Sequence, residues 1–128
     1  MEKLLFEQET YKIMGAAMEV SKQLGGGFLE AVYQESLAEE LDIRNIPFVR
    51  EKKIQLFYKG KELKQFYKAD FICFNNIVIE IKAISKILPE HQAQTINYLR
   101  ALNLRVGLIL NFGNNKLEHQ RIINKFLV

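Results

Sequence analysis

The apolar residues of the first 45 positions follow the period of an amphipathic helix, with one interruption by glycine. The positions that mark the first helix, spaced by three, four or eight residues, are Leu5, Ile13, Ala17, Val20 and Leu24. Three consecutive glycines at 25–27 break this pattern, and a second amphipathic pattern follows over residues 28–45. We therefore predict a helix over residues 4–25, a glycine turn, and a second helix that ends before Pro47.

The pattern changes at residue 48, where β-branched and aromatic residues become frequent. Three runs predict β-strands, over residues 48–58, 61–73 and 77–83. Turns are predicted between them at Lys59-Gly60 and at Asn75-Asn76.

The rest of the chain predicts one more helix and at least one more strand. Pro89 suits the first turn of a helix over residues 89–103, and the almost unbroken apolar run at 105–113 is typical of an interior strand. The tail at 116–128 fits either a short helix or an edge strand. The order is therefore α-α-β-β-β-α-β, with a right-handed crossover between two parallel strands. We predict an α/β fold with a mixed sheet of four strands, or slightly more, flanked by helices.

The composition fits one globular domain over residues 1–128. Of these residues 48% are hydrophobic, and a chain of this length can bury a core without disulfides or structural metal. The single cysteine, Cys73, lies in an apolar strand, which is typical of a core residue in a reducing compartment. No apolar run is long enough to cross a membrane, and the acidic residues near the start do not fit a secretory signal. We therefore expect a cytoplasmic protein without membrane association.

Three charged residues, Asp70, Glu80 and Lys82, stand in the apolar hairpin of the second and third strands. Charges inside buried strands are costly unless something offsets them. Alternation along the third strand places Glu80 and Lys82 on the same face as Val78. The opposite face is wholly apolar and must pack against helices; it consists of Ile77, Ile79, Ile81 and Ala83.

The position of Asp70 relative to Glu80 depends on the turn of the hairpin. A two-residue loop at 75–76 would set Asp70 opposite Ile81, away from Glu80. A three-residue loop at 74–76 would set Asp70 directly opposite Glu80, and it needs a left-handed residue, which asparagine tolerates best after glycine. A bulge elsewhere in the hairpin would have the same effect. Both registers fit the sequence.

In the second register the two carboxylates repel each other unless a cation lies between them. Hard oxygen ligands select Mg²⁺ or Mn²⁺ over softer metals. Lys82 beside such a site could steady a water molecule or offset charge on a phosphoryl oxygen, which favours metal-assisted phosphodiester hydrolysis. From periodicity alone a structural alternative is favoured, in which Glu80 and Lys82 face solvent on a half-exposed strand and Asp70 is a polar residue at a strand end.

Several blocks of the sequence resemble known families. Asp70, the triplet from Glu80 to Lys82, and a following helix with Gln94 and Tyr98 resemble the PD-(D/E)XK nuclease superfamily. That superfamily has the core order α-β-β-β-α-β, so the resemblance implies a restriction-endonuclease-like core. Ala69 stands where the superfamily name has proline, at a position that shapes the backbone rather than the chemistry.

A second resemblance is closer. The spacing of Gly27, Glu30 and Tyr33 is similar to the signature of the GxxExxY protein family. Residues 67–84 and 88–113 resemble the remaining blocks of that family, so the resemblance covers nearly the whole chain.

The resemblance implies a Mg²⁺- or Mn²⁺-dependent nuclease that cleaves DNA or RNA. Asp70 and Glu80 would bind the metal together with the backbone carbonyl of Ile81. Lys82 would take part in cleavage, and Glu30 would supply an additional acidic group near the metal.

Further side chains are expected to contact the nucleic acid. The resemblance implies that Gln94 and Tyr98 line the site, although their spacing also fits the polar edge of an amphipathic helix. Tyr33 fits either a substrate contact or the edge of the core. Lys68 and Lys86 belong to a group of lysines that either contact phosphate or block aggregation of strands.

The net charge of +3 and the pI near 9.0 are compatible with a nucleic-acid partner but do not demonstrate one. Two other functions stay open: a nucleic-acid or protein-binding module that uses the nuclease fold without turnover, and a small scaffold with neither property. A homodimer, or a component of a larger complex, is also compatible with the sequence.

Overall fold

The chain forms a five-stranded mixed sheet with helices on both faces. The computed structural model describes residues 4–127. The helices are α1 (Glu7–Leu24), α2 (Glu30–Ile43) and α3 (Pro89–Leu102). The strands are β1 (Phe48–Tyr58), β2 (Lys61–Cys73), β3 (Ile77–Lys82), β4 (Val106–Asn111) and β5 (Glu118–Ile123). No helix within residues 4–127 combines the length and the hydropathy that crossing a bilayer requires.

The sheet has the strand order β1-β2-β3-β4-β5. Strands β3 and β4 are parallel and are joined through α3, while the other neighbouring pairs are antiparallel. Every residue of β4 is buried, as expected for an interior strand. The tail adds the edge strand β5 rather than a helix, so the predicted fold class is confirmed with a fifth strand.

The glycine turn between the first two helices follows the prediction. Gly25 ends α1 with a φ of 67°, and Gly27 has a φ of 105°, values that favour glycine. The second helix begins at Glu30 rather than at residue 28, because Leu29 keeps an extended backbone.

Each face of the sheet carries its own hydrophobic core. Helices α1 and α2 cover the face formed by Ile77, Ile79 and Ile81, which are fully buried. Helix α3 covers the opposite face, where Val78 packs with residues that include Leu99. The predicted apolar face is thus confirmed, and Glu80 and Lys82 belong by alternation to the α3 side of the sheet.

The hairpin of β2 and β3 adopts the three-residue loop. Cys73 pairs with Ile77, and the left-handed φ angles of 55° and 60° fall at Phe74 and Asn75. Pairing continues in register to Phe71 opposite Ile79, so the next facing positions are 70 and 80. The two-residue alternative is therefore wrong, and the register that opposes Asp70 and Glu80 is the one the chain adopts.

A buried amide fixes the loop between β3 and α3. The Asn111 side chain accepts hydrogen bonds from the N–H groups of Ile84 and Gly113 and donates to the Ile84 carbonyl and to Glu118. A Cβ at Gly113 would lie 2.1 Å from the Ile84 carbonyl oxygen, so only glycine fits there. The hydrogen bonds of Asn111 and the close approach of Gly113 to Ile84 hold the end of β4 against the segment that leads from β3 into α3.

Candidate active site

The two predicted acids meet where β2 and β3 separate. Backbone pairing of the two strands ends at Phe71 and Ile79. Beyond that pair, Oδ2 of Asp70 accepts a hydrogen bond from the backbone N–H of Ile81 at 2.7 Å. The backbone N–H of Asp70 donates in turn to Oε1 of Glu80 at 3.2 Å. Each acid thus binds the backbone of the strand that carries the other, and the carboxylates replace the next step of the ladder.

Glu80 is buried within this junction, with 4% of its surface exposed. The alternative in which Glu80 faces solvent on a half-exposed strand is therefore wrong. Burial, and secondly the charge of Asp70, raise the pKa of Glu80 to about 8, while the Asp70 N–H and Lys82 act in the opposite direction. Within residues 4–127 no side-chain nitrogen or oxygen is both fully buried and unpartnered, so Oε2, which has no hydrogen bond there, keeps contact with solvent.

Two residues that the sequence pattern did not single out hold Asp70 in place. Gln34 of α2 donates from Nε2 to Oδ1 of Asp70 at 2.7 Å, and Arg50 of β1 donates from Nε to Oε1 of Gln34 at 3.0 Å. Gln34 lies one helical turn after Glu30, and this spacing was the one available signal for its role. Arg50 gave no signal, because its partner is 16 residues away.

Lys82 and Glu30 complete the charged groups of the site. Nζ of Lys82 lies 3.5 Å from Oε1 of Gln94 on α3, at the outer limit of a hydrogen bond. Partial burial raises the pKa of Glu30 above its ordinary value. The positive charge of Lys82 lowers this pKa, and the negative charge of Asp70 raises it. Glu30 therefore lies within electrostatic reach of both groups, at the first residue of α2.

Tyr98 closes the α3 side of the site. Its side chain is 7% exposed, and its ring lies 4.8 Å from that of Tyr67 on β2. Burial, then the charges of Glu80 and Asp70, raise the pKa of Tyr98 to about 12, so the phenol stays protonated at neutral pH beside the two acids. The site thus gathers residues of β2, β3, α2 and α3 at one end of the sheet.

The model of the PD-(D/E)XK nuclease superfamily matches residues 7–122 of the chain. The chain belongs to this superfamily. Among solved structures, the crystal structure of SSO0001 is similar with a TM-score of 0.59 at 22% identity, which supports the same fold. The match covers 92% of this chain and 59% of that one, so the chain spans less than two thirds of that protein. A search of curated proteins found no match.

The PD-(D/E)XK superfamily is named for its nucleases, and its members generally use divalent metals. The donor atoms here fit such an ion, because two carboxylates supply hard oxygens. Burial, and secondly the charge of Asp70, raise the pKa of Glu80, and a bound cation would counter both effects. The N–H and C=O of one strand residue point to the same side. Because the Ile81 N–H binds Asp70, whereas the Lys82 carbonyl accepts from Phe112 on the β4 side, the Ile81 carbonyl is turned to the β2 edge of the strand, where Asp70 lies.

The structure does not add a third acid to the pair. In the described part of the chain, no three His, Cys, Asp or Glu residues form a group that could hold one metal ion. The charge of Asp70 affects the pKa of Glu30, but Glu30, Asp70 and Glu80 do not form one such group. Direct binding of a metal by Glu30 remains a prediction.

Tyr33 has a structural role that is inconsistent with the expected substrate contact. Its side chain is fully buried, and its ring stacks on Phe112 at 5.0 Å. Its hydroxyl donates to the Gly25 carbonyl at 2.6 Å and accepts from the Phe28 N–H at 3.2 Å. Tyr33 therefore fastens the glycine turn that leads into Glu30, and no polar atom of its side chain is left for a ligand.

The remaining predicted residues lie at the periphery. Lys68 and Lys86 are exposed, on β2 and on the loop before α3, so contact with nucleic acid remains a prediction for both. Cys73 is buried, and burial raises the pKa of its thiol to about 12, which confirms it as a core residue.

Proposed function

We propose that the chain is a divalent-metal-dependent nuclease of the GxxExxY kind, which uses Mg²⁺ or Mn²⁺ to hydrolyse phosphodiester bonds of DNA or RNA. The observation that carries the proposal is the pair of acids at the β2–β3 junction. Glu80 is buried and Asp70 is half-buried beside it, and protonation of one acid or a shared cation would relieve the repulsion between their negative charges. Lys82 follows Glu80 on the same face of β3, which supplies the cationic group that the superfamily pattern requires.

Each residue of the site has a separate task in this proposal. Asp70, Glu80 and the Ile81 carbonyl would hold the cation, and Gln34 would keep the Asp70 carboxylate in position through its 2.7 Å hydrogen bond. A divalent cation bound there would supply Lewis-acid stabilisation of the charge that develops on the scissile phosphate.

The cationic and neutral groups act on the substrate and on water. Lys82, oriented by Gln94, would hold the attacking water and offset charge on a phosphoryl oxygen. Tyr98 remains a neutral hydrogen-bond donor at neutral pH, because its pKa lies near 12. Glu30 would balance the charge of Lys82 from the start of α2.

Cleavage assays on matched variants test the proposal. Single- and double-stranded DNA and RNA are incubated with Mg²⁺ or Mn²⁺ and with wild-type protein, Asp70→Asn, Glu80→Gln or Lys82→Gln. We expect each variant to lose about 10²–10³-fold in rate. The controls Glu39→Gln and Lys116→Gln change the same charges at exposed positions and should retain activity. Equal background cleavage by the wild type and all three site variants would refute the nuclease.

A second candidate is the binding module without turnover. The observation that favours it is that no three His, Cys, Asp or Glu residues within residues 4–127 form a group that could hold a metal ion. Calorimetric titration with Mg²⁺ or Mn²⁺ separates the two functions. The nuclease requires saturable metal binding that Asp70→Asn and Glu80→Gln abolish, whereas the module requires nucleic-acid binding that survives Glu80→Gln and chelation of metal.

A further inference from the structure

The β1–β2 hairpin extends well beyond the rest of the sheet. Strand β2 pairs with β1 from Cys73 to Lys61, with one register shift between Phe66 and Glu62, but it pairs with β3 only at positions 71–73. Residues 52–69, called the arm below, therefore form a two-stranded ribbon that begins next to Asp70. Its tip is a tight turn in which Lys59 and Gly60 both have positive φ, at 49° and 79°.

The two faces of the arm differ in their surroundings. On one face Ile54 is 2% exposed and Tyr67 packs on Tyr98, so α3 supports the base of the arm. On the other face Lys53 lies opposite Lys68, and Nζ of Lys53 sits 4.6 Å from the ring centre of Phe66. Lys64 lies two residues before Phe66, where the pairing of the two strands shifts register, and all of these side chains are exposed.

The arm holds more positive charge than the whole chain. It contains six lysines and one acidic residue, Glu62, a net charge of +5, while the complete chain has a net charge of +3. The residues outside the arm therefore carry a net charge of −2. An aromatic ring lies in the middle of this positive stripe: Phe66 is 50% exposed, between Lys64 and Lys68 along the strand.

We propose that the arm binds a single-stranded segment of nucleic acid that runs outward from the Asp70–Glu80 site. Lys53 and Lys68, which face each other across the two strands, and Lys64, four residues along β2, would contact phosphates at separate points of the bound strand, and a base would stack on Phe66. Lysines beside an exposed aromatic ring are the combination that binds single strands, since a base inside a duplex has no free face for stacking. The inference rests on the proposed function, because it treats the bound strand as the substrate of that site.

The geometry gives the length of strand involved. Strand residues advance about 3.4 Å each, so the path from Asp70 to Lys64 spans roughly 20 Å. A stacked nucleic-acid strand advances about 3.4 Å per nucleotide, so the arm would cover about six nucleotides on one side of the scissile bond.

A different explanation of the lysines is protection of the exposed ribbon against pairing with other strands. That explanation assigns no ligand to the arm. It predicts that removing the lysines causes self-association, with no change in the affinity for nucleic acid.

Fluorescence anisotropy with labelled oligothymidylate, in chelator so that no cleavage occurs, tests the arm directly. The double variant Lys64→Gln/Lys68→Gln is compared with Lys12→Gln/Lys125→Gln, which removes the same charge from exposed positions elsewhere. We expect the arm variant to reduce the slope of log K against log salt by about 1.4, the value for two phosphate contacts on a single strand. The control should leave the slope unchanged.

The stacking contact has its own matched pair of variants. Phe66→Ala should weaken single-strand binding by roughly tenfold. Phe126→Ala, at another exposed phenylalanine with a cation over its ring, the Arg100 guanidinium at 4.2 Å, should not. Equal losses for arm and control variants, duplex binding as tight as single-strand binding, or unchanged affinity accompanied by self-association would each overturn the proposal.

Failure of the arm and failure of the nuclease are distinguishable. If the metal-loaded wild type cleaves while the arm variants keep full affinity and rate, the arm inference is wrong and the nuclease stands. If the arm variants lose affinity while the wild type cleaves no substrate, the nuclease is wrong and the arm stands.

Discussion

Replacing the buried acid Glu80 with glutamine should stabilise the metal-free protein at neutral pH. Burial and Asp70 raise the pKa of Glu80 to about 8, from an ordinary value of 4.5. The folded state therefore holds this proton more tightly than the unfolded state. The resulting stability is fully present below about pH 4.5 and is lost as the pH rises toward 8.

The structure sets the size of the effect. At pH 7 the interval from 4.5 corresponds to about 3.4 kcal/mol, since each pH unit is worth 1.36 kcal/mol. Solvent screening is slight because Glu80 is 4% exposed. Glutamine is neutral and keeps an oxygen for the Asp70 N–H, so Glu80→Gln should recover about 2–3 kcal/mol of unfolding free energy. In a chain of this size that is a rise in Tm on the order of 10 °C.

The assay is urea unfolding with chelator present, at several pH values between 5 and 8.5, for the wild type, Glu80→Gln and the exposed control Glu39→Gln. The wild type and the control should lose stability with rising pH, whereas Glu80→Gln should not. Adding Mg²⁺ or Mn²⁺ should restore stability to the wild type and much less to Glu80→Gln, because binding to the folded state stabilises it. A wild type with no pH dependence over this range, or a destabilised Glu80→Gln, would refute the reasoning.

Three further substitutions test other contacts. Gln34→Leu should lower the cleavage rate by about tenfold with little change in metal affinity, because Asp70 loses its positioning hydrogen bond. Metal titration and cleavage kinetics measure the two effects, and an unchanged cleavage rate would count against this role of Gln34. Tyr33→Phe should cost about 1–2 kcal/mol of unfolding free energy through two lost hydrogen bonds, with unchanged KM, and a raised KM would restore a substrate role. Gly113→Ala should cost more than about 3 kcal/mol or abolish folding, because its Cβ would overlap the Ile84 carbonyl, and a stable variant in thermal unfolding would contradict that geometry.

The elements of the fold could be predicted because turn residues and a helix-starting proline mark their ends in the sequence. The turn at Lys59-Gly60 fixed the two long strands, whose bounds the structure reproduces, and Pro89 marked the start of α3. The parallel pairing of β3 and β4 followed from the helix between them. The apolar alternation from Ile77 onward gave the faces of β3 in the same way.

The register of the hairpin could not be predicted, because a distant contact decides it. Local preference would place the left-handed backbone at asparagine, yet Phe74 also adopts a φ of 55°. Phe74 does so while packing against the core on the α1–α2 side and donating its N–H to the Pro47 carbonyl at 2.9 Å. Tertiary packing therefore outweighs the local cost of a left-handed backbone at phenylalanine, and the local sequence shows only that cost.

The candidate site was predicted in its charged residues and not in its support. Asp70, Glu80 and Lys82 were visible because charge is rare in apolar strands, whereas Gln34 and Arg50 look like ordinary surface residues until the helix packs beside the strand. The sequence left the role of Tyr33 open for the same reason: the partners of its hydroxyl, the Gly25 carbonyl and the Phe28 N–H, come from a loop whose path the sequence does not specify.

The carboxylate of Asp70 does part of the work of a backbone carbonyl, since it accepts the Ile81 N–H where the strand ladder stops. In the proposed nuclease, both metal binding and the pairing of β2 with β3 therefore depend on the Asp70 side chain. If the chain cleaves phosphodiester bonds as proposed, a descendant without that activity could lose Lys82 at small structural cost. Replacing Asp70 would require another hydrogen-bond acceptor for the Ile81 N–H between β2 and β3. Among inactive relatives of this chain, the lysine should therefore disappear first and the aspartate last.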